Sequence, residues 1–130
     1  MASFSRHVPF AHAEHIAQSV DILIKSSNTI PQEIQRAAIS IGPGSFTGLR
    51  IGLSFLKGFL FNRDIDVLPL SSLEIMATAW PFDHPCLMSL MDARNGLVFR
   101  GVFSKQKGII KRMKSDELIT LCEAKNEISG

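Results

Sequence analysis

The sequence contains few of the residues that stabilise secreted proteins or bind metals. It has only two cysteines in 130 residues, Cys86 and Cys122, and they do not form a Cys-x-x-Cys pair. This spacing excludes a disulfide framework and the usual zinc sites, and we interpret both cysteines as reduced packing residues. We expect no bound metal, because His12 and His15 lack the carboxylate context of a metal site and are more typical of a solvated helix.

A long hydrophobic run is also missing. The most apolar segment follows Ser45, but it is too short to span a bilayer and contains Arg50 and Lys57. No apolar run follows Arg6 and His7, so no signal peptide is visible. The hydrophobic content of 45% is sufficient for a core, and the net charge is only +2. These features predict a cytoplasmic protein.

A glycine-rich turn between a strand and a helix is the most informative segment. An apolar strand at residues 37–41 leads into the run Gly42-Pro43-Gly44-Ser45-Phe46-Thr47-Gly48-Leu49-Arg50-Ile51-Gly52. Gly44, Gly48 and Gly52 recur at every fourth position, which places them on one stripe of the predicted helix. A glycine inside a helix costs about 1 kcal/mol relative to alanine. The stripe therefore predicts that another element approaches this helix closely.

The approaching group has two interpretations, a phosphate or a partner helix. A glycine turn before a helix N-terminus is a common phosphate site. However, the dinucleotide fingerprint needs glycine where Thr47 stands, and a Walker A loop needs lysine where Leu49 follows Gly48. We favour a partner helix and interpret Ser45 as a helix cap. A small ATP- or phosphate-binding enzyme that uses residues 42–48 is the alternative.

The hydrophobic periodicity predicts alternating strands and helices, followed by a hairpin with an Asn-Gly turn. The predicted helices are residues 11–26, 45–62, 72–80 and 115–122, and the predicted strands are residues 37–41, 66–70, 86–91, 97–103 and 108–113. The alternation implies parallel pairing with right-handed crossovers. We predict an α/β protein with an N-terminal lobe at residues 1–80 and, at residues 81–130, the start of a second lobe with its own sheet, a hairpin and a short helix.

Four segments together resemble the TsaB (YeaZ) family. The glycine-rich run at residues 42–52 is similar to the family signature, and residues 11–16 resemble the start of its first helix, with departures at Ala11 and Ala13. Ser71-Ser72-Leu73-Glu74 and Met91-Asp92-Ala93-Arg94-Asn95-Gly96 resemble two further family motifs. The resemblance covers about residues 7–104.

The resemblance implies a non-catalytic subunit that pairs with the enzyme TsaD. With TsaE, these proteins transfer a threonylcarbamoyl group to the adenosine beside a tRNA anticodon. The implied fold is the ribonuclease-H-like fold of the actin/Hsp70 ATPases without a working nucleotide site, so we expect no catalytic residue and no cofactor. Pairing with TsaD, or with a second copy, would use the helices at residues 11–26 and 45–62. The partner-binding residues predicted in this way are Gly44, Phe46, Gly48, Leu49, Arg50, Gly52, Phe55, His12 and Ile16.

The chain departs from the family pattern at both ends. Family members begin with a strand that ends in Asp-Thr-Ser and continues into a hairpin, and nothing before His12 resembles it. They also continue past Gly130. We therefore expect an incomplete ribonuclease-H-like sheet whose strand at residues 37–41 has an unpaired edge, and a monomer of marginal stability.

A basic stretch follows the hairpin turn. Seven Lys and Arg residues and no acidic residue lie between Arg94 and Lys114. Such a stretch is typical of a solvated surface, and contact with RNA or with an acidic partner is the other interpretation. No aromatic residues suited to base stacking are interleaved, because Phe99 and Phe103 alternate like core residues. We expect only indirect contact with tRNA.

Overall fold

The structure is a computed structural model that describes Ser3 and residues 15–129. Its elements, in chain order, are α1 (Ile16–Ser26), β1 (Arg36–Gly42), α2 (Phe46–Phe59), β2 (Asp66–Ser71), α3 (Ser72–Ala79), β3 (His84–Arg94), β4 (Leu97–Gln106), β5 (Ile109–Thr120) and α4 (Leu121–Ser129). The chain divides into two compact units. The first comprises Met1–Ser40 and Gly44–Pro69, and the second comprises Ile41–Pro43 and Leu70–Gly130.

The first unit has a two-stranded sheet and two helices but no buried residue among those described. Strands β1 and β2 pair side by side, with α2 between them in sequence, and their pairing is parallel as predicted. The described part of the unit has many half-buried residues and none that is fully shielded from water. Its large exposed apolar side chains are Ile22, Ile30, Phe46, Leu53, Phe61, Val67 and Leu68. This unit therefore presents an apolar surface to its surroundings.

The second unit contains the hydrophobic core. Its sheet is antiparallel with the order β3-β4-β5, and α3 packs against all three strands. Leu73 and Ala77 of α3 are buried against Phe103 of β4, which is fully enclosed. The partly buried residues around this cluster are Leu87, Met91, Phe99 and Ile110. The central strand therefore supplies the residue on which the helix packs.

Two tight turns set the register of this sheet. Arg94 pairs with Leu97 across Asn95 and Gly96, whose φ angles are 53° and 74°. Two successive positive φ angles define the type I′ turn that an Asn-Gly pair favours, so the predicted hairpin is confirmed. The next turn repeats this geometry at residues 107–108, with φ angles of 51° and 75°.

The predicted helix at residues 115–122 is wrong. Strand β5 continues to Thr120, and Glu117 lies opposite Arg100 in the strand register. The carboxylate of Asp116, which we had expected in the first turn of a helix, instead accepts a hydrogen bond from the Ser71 hydroxyl at 2.7 Å. Side chains from two other elements therefore engage this segment as a strand.

Helix α4 begins at Leu121. The predicted helix, with Ser115 as its cap, would begin five residues earlier, at Asp116. The Thr120 hydroxyl accepts from the Glu123 N–H at 3.1 Å, and the Glu123 carboxylate accepts from the Thr120 N–H at 2.8 Å. This reciprocal pair is a capping box, which satisfies two backbone donors at the helix start. The cap thus fixes Leu121 as the first helical residue.

One further expectation differs from the structure, and two others stay predictions. The predicted start of α1 at residue 11 lies outside the described residues. Both cysteines are free and exposed, so their interpretation as packing residues is wrong.

The boundary between the two compact units falls after Pro69, whereas we placed a lobe boundary after residue 80. The difference is α3, whose buried Leu73 and Ala77 attach it to the second unit. The lobes as independent domains stay a prediction.

Gly101→Ala should destabilise the second unit. A methyl group at this position would lie 2.7 Å from Phe103 Cε2 and 3.0 Å from Asp116 Oδ1. The buried ring cannot move without disturbing the core, so we expect a loss of about 1–3 kcal/mol in the free energy of unfolding, measured by urea denaturation followed by circular dichroism. Gly58→Ala is the control, because a methyl group there meets no atom within 4 Å and helix propensity favours alanine. Equal stability of the two variants would contradict the packing argument.

The cap of α4 should make stability depend on pH. The hydrogen bonds from the backbone and hydroxyl of Thr120 lower the pKa of Glu123 below its usual 4.5. The folded state therefore gains stability from this carboxylate above pH 4.5 and loses it as the pH falls through the lowered pKa. Glu123→Gln keeps a capping side chain that does not titrate. We expect the difference in melting temperature between the wild type and this variant to shrink below pH 4.5, and a constant difference would refute the assignment.

Candidate partner-binding surface

The glycine-rich turn positions the start of α2. Strand β1 ends at Gly42, whose φ of 107° lies in the region that favours glycine. Ser45 then caps the helix, because its hydroxyl accepts a hydrogen bond from the Gly48 N–H at 3.3 Å. The predicted capping role of Ser45 is confirmed. The turn thus satisfies the helix N-terminus with its own side chain.

The glycine stripe is shorter than the sequence pattern indicated. Helix α2 begins at Phe46, so Gly44 lies in the turn before it. A methyl group on Gly52 would lie 3.8 Å from Ile39 Cδ1 of β1, whereas one on Gly48 would meet only atoms of Ser45. At Gly52 the closely approaching element is therefore the neighbouring strand.

The opposite side of α2 carries an exposed apolar and cationic face. Phe46 is 74% exposed and Leu53 is 46% exposed, and positions seven apart lie on the same side of a helix. The Arg50 guanidinium lies 5.4 Å from the centroid of the Phe46 ring, within cation–π distance. We call these three residues the α2 outer face. Leu53 was not predicted as a site residue, although its i, i+7 spacing from Phe46 would have identified it.

The other predicted site residues that the structure describes do not belong to this outer face. Leu49 and Ile16 are half-buried, and Phe55 stacks on Phe59 with ring centroids 5.7 Å apart. Helices α1 and α2 contact each other. His12 lies outside the described residues. Partner contact by each of these residues stays a prediction.

The Ser-Leu-Glu segment performs a structural task in the second unit. Ser71 caps α3 by accepting from the Glu74 N–H at 3.4 Å, and the Glu74 carboxylate binds the Arg112 guanidinium at 2.8 Å. Burial lowers the pKa of Arg112, but the hydrogen bonds and charges of Glu74 and Asp116 outweigh it and raise that pKa. The motif therefore attaches α3 to β5.

The Asp-Ala-Arg segment stabilises the first hairpin turn. The Asp92 carboxylate accepts from the Arg94 N–H at 2.9 Å, and Arg94 has a φ of 68°. An aspartate that binds the backbone two residues later favours such a turn. Asp92 thus has a local structural partner, and the Arg94 side chain remains exposed.

No helix in the described part of the chain is long and apolar enough to cross a membrane.

Comparison with known proteins agrees with the motifs. Residues 7–125 match the profile of the family described as TsaD, tRNA N6-adenosine threonylcarbamoyltransferase. The chain is 26% identical over 123 residues to the tRNA threonylcarbamoyladenosine biosynthesis protein TsaB of Bacillus subtilis, covering 95% of this chain and 54% of that protein. It is 31% identical over 98 residues to the TsaB of Haemophilus influenzae, covering 74% and 42%. The chain spans about half the length of the curated relatives it matches.

The structural comparison gives the same result. YeaZ from Pseudomonas aeruginosa superposes with a TM-score of 0.80 at 25% identity, covering 88% of this chain and 55% of that protein. This likeness and the family match confirm the predicted ribonuclease-H-like α/β fold. The chain therefore belongs to the tRNA N6-adenosine threonylcarbamoyltransferase family and, within it, to the TsaB/YeaZ proteins.

Proposed function

We propose that this chain acts in tRNA threonylcarbamoyladenosine biosynthesis as a non-catalytic scaffold that pairs with a TsaD-type enzyme. The biosynthetic role rests on the names of the TsaB relatives. The proposal assigns the pairing to α1 and α2, and the glycine-rich signature ends within α2. Recruitment of a TsaE-type subunit and formation of a homodimer are further parts of the proposal.

The α2 outer face is the observation that carries this proposal. Phe46, Arg50 and Leu53 expose two apolar side chains and a guanidinium together, a composition that is enriched at protein interfaces. The described residues of the first unit also lack a buried core. A partner that covers the outer face would remove apolar surface from water, which contributes a favourable free energy of about 25 cal/mol per Å² buried.

The scaffold role is supported by how the motif side chains are occupied. Ser45 is used as a helix cap, Glu74 is paired with Arg112, and Asp92 binds the hairpin backbone. A nucleophile needs a base within hydrogen-bonding reach, and the Ser45 hydroxyl has a backbone N–H as its partner. These contacts favour a structural use of the family motifs.

Two charges on the α2 outer face should weaken pairing strongly. The double variant Phe46→Asp/Leu53→Asp places two carboxylates on the outer face, whose burial against an apolar partner is unfavourable. We expect the dissociation constant for a purified TsaD-type subunit of the same organism to rise about a hundredfold, as measured by isothermal titration calorimetry. Both side chains are exposed, so the circular dichroism of the variant should match that of the wild type.

Phe61→Asp is the matched control, because Phe61 is 82% exposed in the same unit but lies beyond the end of α2. It should bind as the wild type does. Unchanged TsaD binding by the double variant would refute the proposed surface. Size-exclusion chromatography of the chain alone tests the homodimer, and addition of a TsaE-type subunit to the complex tests its recruitment.

Ser45→Ala should lower the free energy of unfolding. It should not change any catalytic activity, because we propose that the chain has none. Removal of a serine N-cap costs about 0.5–2 kcal/mol, and Ser45→Asp should retain most of that stability because aspartate also caps. Thermal unfolding of the three proteins tests this order. Detectable ATP hydrolysis by the purified wild type that disappears in Ser45→Ala would contradict the non-catalytic role.

A further inference from the structure

One face of the sheet in the second unit is only half covered by α4. Side chains alternate along β4, so Val98, Arg100, Val102 and Ser104 point to the same side. Val98 and Val102 are buried there, together with Ala124 of α4, which is fully enclosed. We call this side the α4 face. Helix α4 contacts β4 and β5.

The half of this face that α4 does not cover forms a groove among the described residues. It has a volume of about 550 Å³ and is lined by Pro85, Ser104, Gln106, Lys107, Ile109, Lys111 and Met113. Ile109 is 73% exposed and Met113 is 57% exposed. We call this groove the distal groove. It combines apolar side chains with a nearly buried hydroxyl at Ser104.

The charge of the distal groove is positive. Lys107 and Lys111 line it, and Lys114 lies opposite Val102 in the strand register. None of these three ammonium groups forms an ion pair with a carboxylate of residues 15–129. The nearby Asp83 carboxylate instead accepts hydrogen bonds from the backbone N–H groups of Lys107 and Gly108, the latter at 3.0 Å.

The covered half of the face shows what kind of element fits this surface. Helix α4 lies on it with a small residue, Ala124, against the sheet. Its Glu127 carboxylate accepts from the Arg100 guanidinium at 2.8 Å, while Arg100 is only 2% exposed. An acidic helix thus packs apolar atoms on the strands and pairs its carboxylate with a cation of the sheet.

We propose that the distal groove binds an acidic amphipathic helix of a partner protein. The apolar side of that helix would pack on Ile109 and Met113, and its carboxylates would pair with Lys107 and Lys111. An apolar contact flanked by lysines favours a helix over RNA, because the groove offers no aromatic ring on which a base stacks. This site shares no residue with the α2 outer face and does not depend on the proposed function.

A designed peptide tests the site with the full chain. The probe is a fluorescein-labelled helix of about 18 residues, roughly 27 Å long, with leucine on one side and glutamate on its flanks. The comparison probes are the same peptide with lysine in place of glutamate, and a single-stranded oligouridylate of equal length. Fluorescence anisotropy should show binding of the acidic peptide and no binding of the basic one.

Three variants separate the helix from other occupants. Lys111→Glu should weaken the acidic peptide about tenfold through charge repulsion, and Ile109→Ser should weaken it by a similar factor through lost apolar contact. Lys57→Glu changes the net charge equally but lies on α2, so it should bind as the wild type does. Met113→Ser repeats the apolar test if Ile109→Ser fails to fold.

Two results would overturn the proposal. Tighter binding of the oligouridylate than of the acidic peptide would identify a polyanion surface instead. Peptide binding that is unchanged in both Ile109→Ser and Met113→Ser would show that only charge is recognised.

Discussion

The burial of Phe103 beneath α3 is the contact on which the second unit depends. Leu73 and Ala77 cover the ring from α3, and the Arg112 guanidinium lies 4.8 Å from its centroid. Glu74 binds that guanidinium in turn, so one aromatic side chain joins a helix to two strands. A stacked, hydrogen-bonded arginine is well suited to this place because its planar group contacts a ring and a carboxylate together. The Ser-Leu-Glu motif is the helical half of this contact.

The first unit, in contrast, has no buried contact of this kind among its described residues. Its described residues include none that is buried, and large apolar side chains such as Phe46 and Leu68 are exposed. A unit of this kind gains little from hydrophobic burial within itself, whereas every covered Å² of apolar surface adds stability on association. In the proposed complex, partner binding would therefore also stabilise this unit. The glycine-rich turn contributes the Ser45 cap, which satisfies one of the backbone donors at the start of α2.

The elements that were predicted correctly from sequence are those with local signals. The strand at β1, the helix that begins at Ser72 and the Asn95-Gly96 hairpin follow from side-chain chemistry within a few residues. The errors occur where tertiary contacts or competing signals decide. Ser115 and the following acids are typical of a helix start, yet Asp116 and Glu117 are held in β5 by Ser71 and Arg100. The Thr-x-x-Glu spacing from Thr120 to Glu123 is visible in the sequence, but the predicted helix at residues 115–122 placed Thr120 near its C-terminal end.

The outer face of α2 was identified only in part for a similar reason. The glycine spacing indicated a stripe, but Ser45 starts the helix after Gly44, and Gly52 is directed toward Ile39. Spacing places residues on one side of a helix without saying which side the sheet covers. In the structure the side that contains Gly52 is the one that contacts Ile39 of β1. The large residues Phe46 and Leu53 are left on the opposite side.

The ion pairs of Arg100 show how the same principle operates on the second sheet. Burial lowers the pKa of this guanidinium, while hydrogen bonds and charges of Glu127 and Glu117 outweigh that effect and raise it. A buried arginine costs several kcal/mol of desolvation, so such pairs add less stability than their number indicates. They do fix position, because Glu117 lies opposite Arg100 on β5 and Glu127 belongs to α4. The cap at Thr120 fixes the start of α4, and the Glu127 pair with Arg100 adds a second attachment further along the helix, on β4.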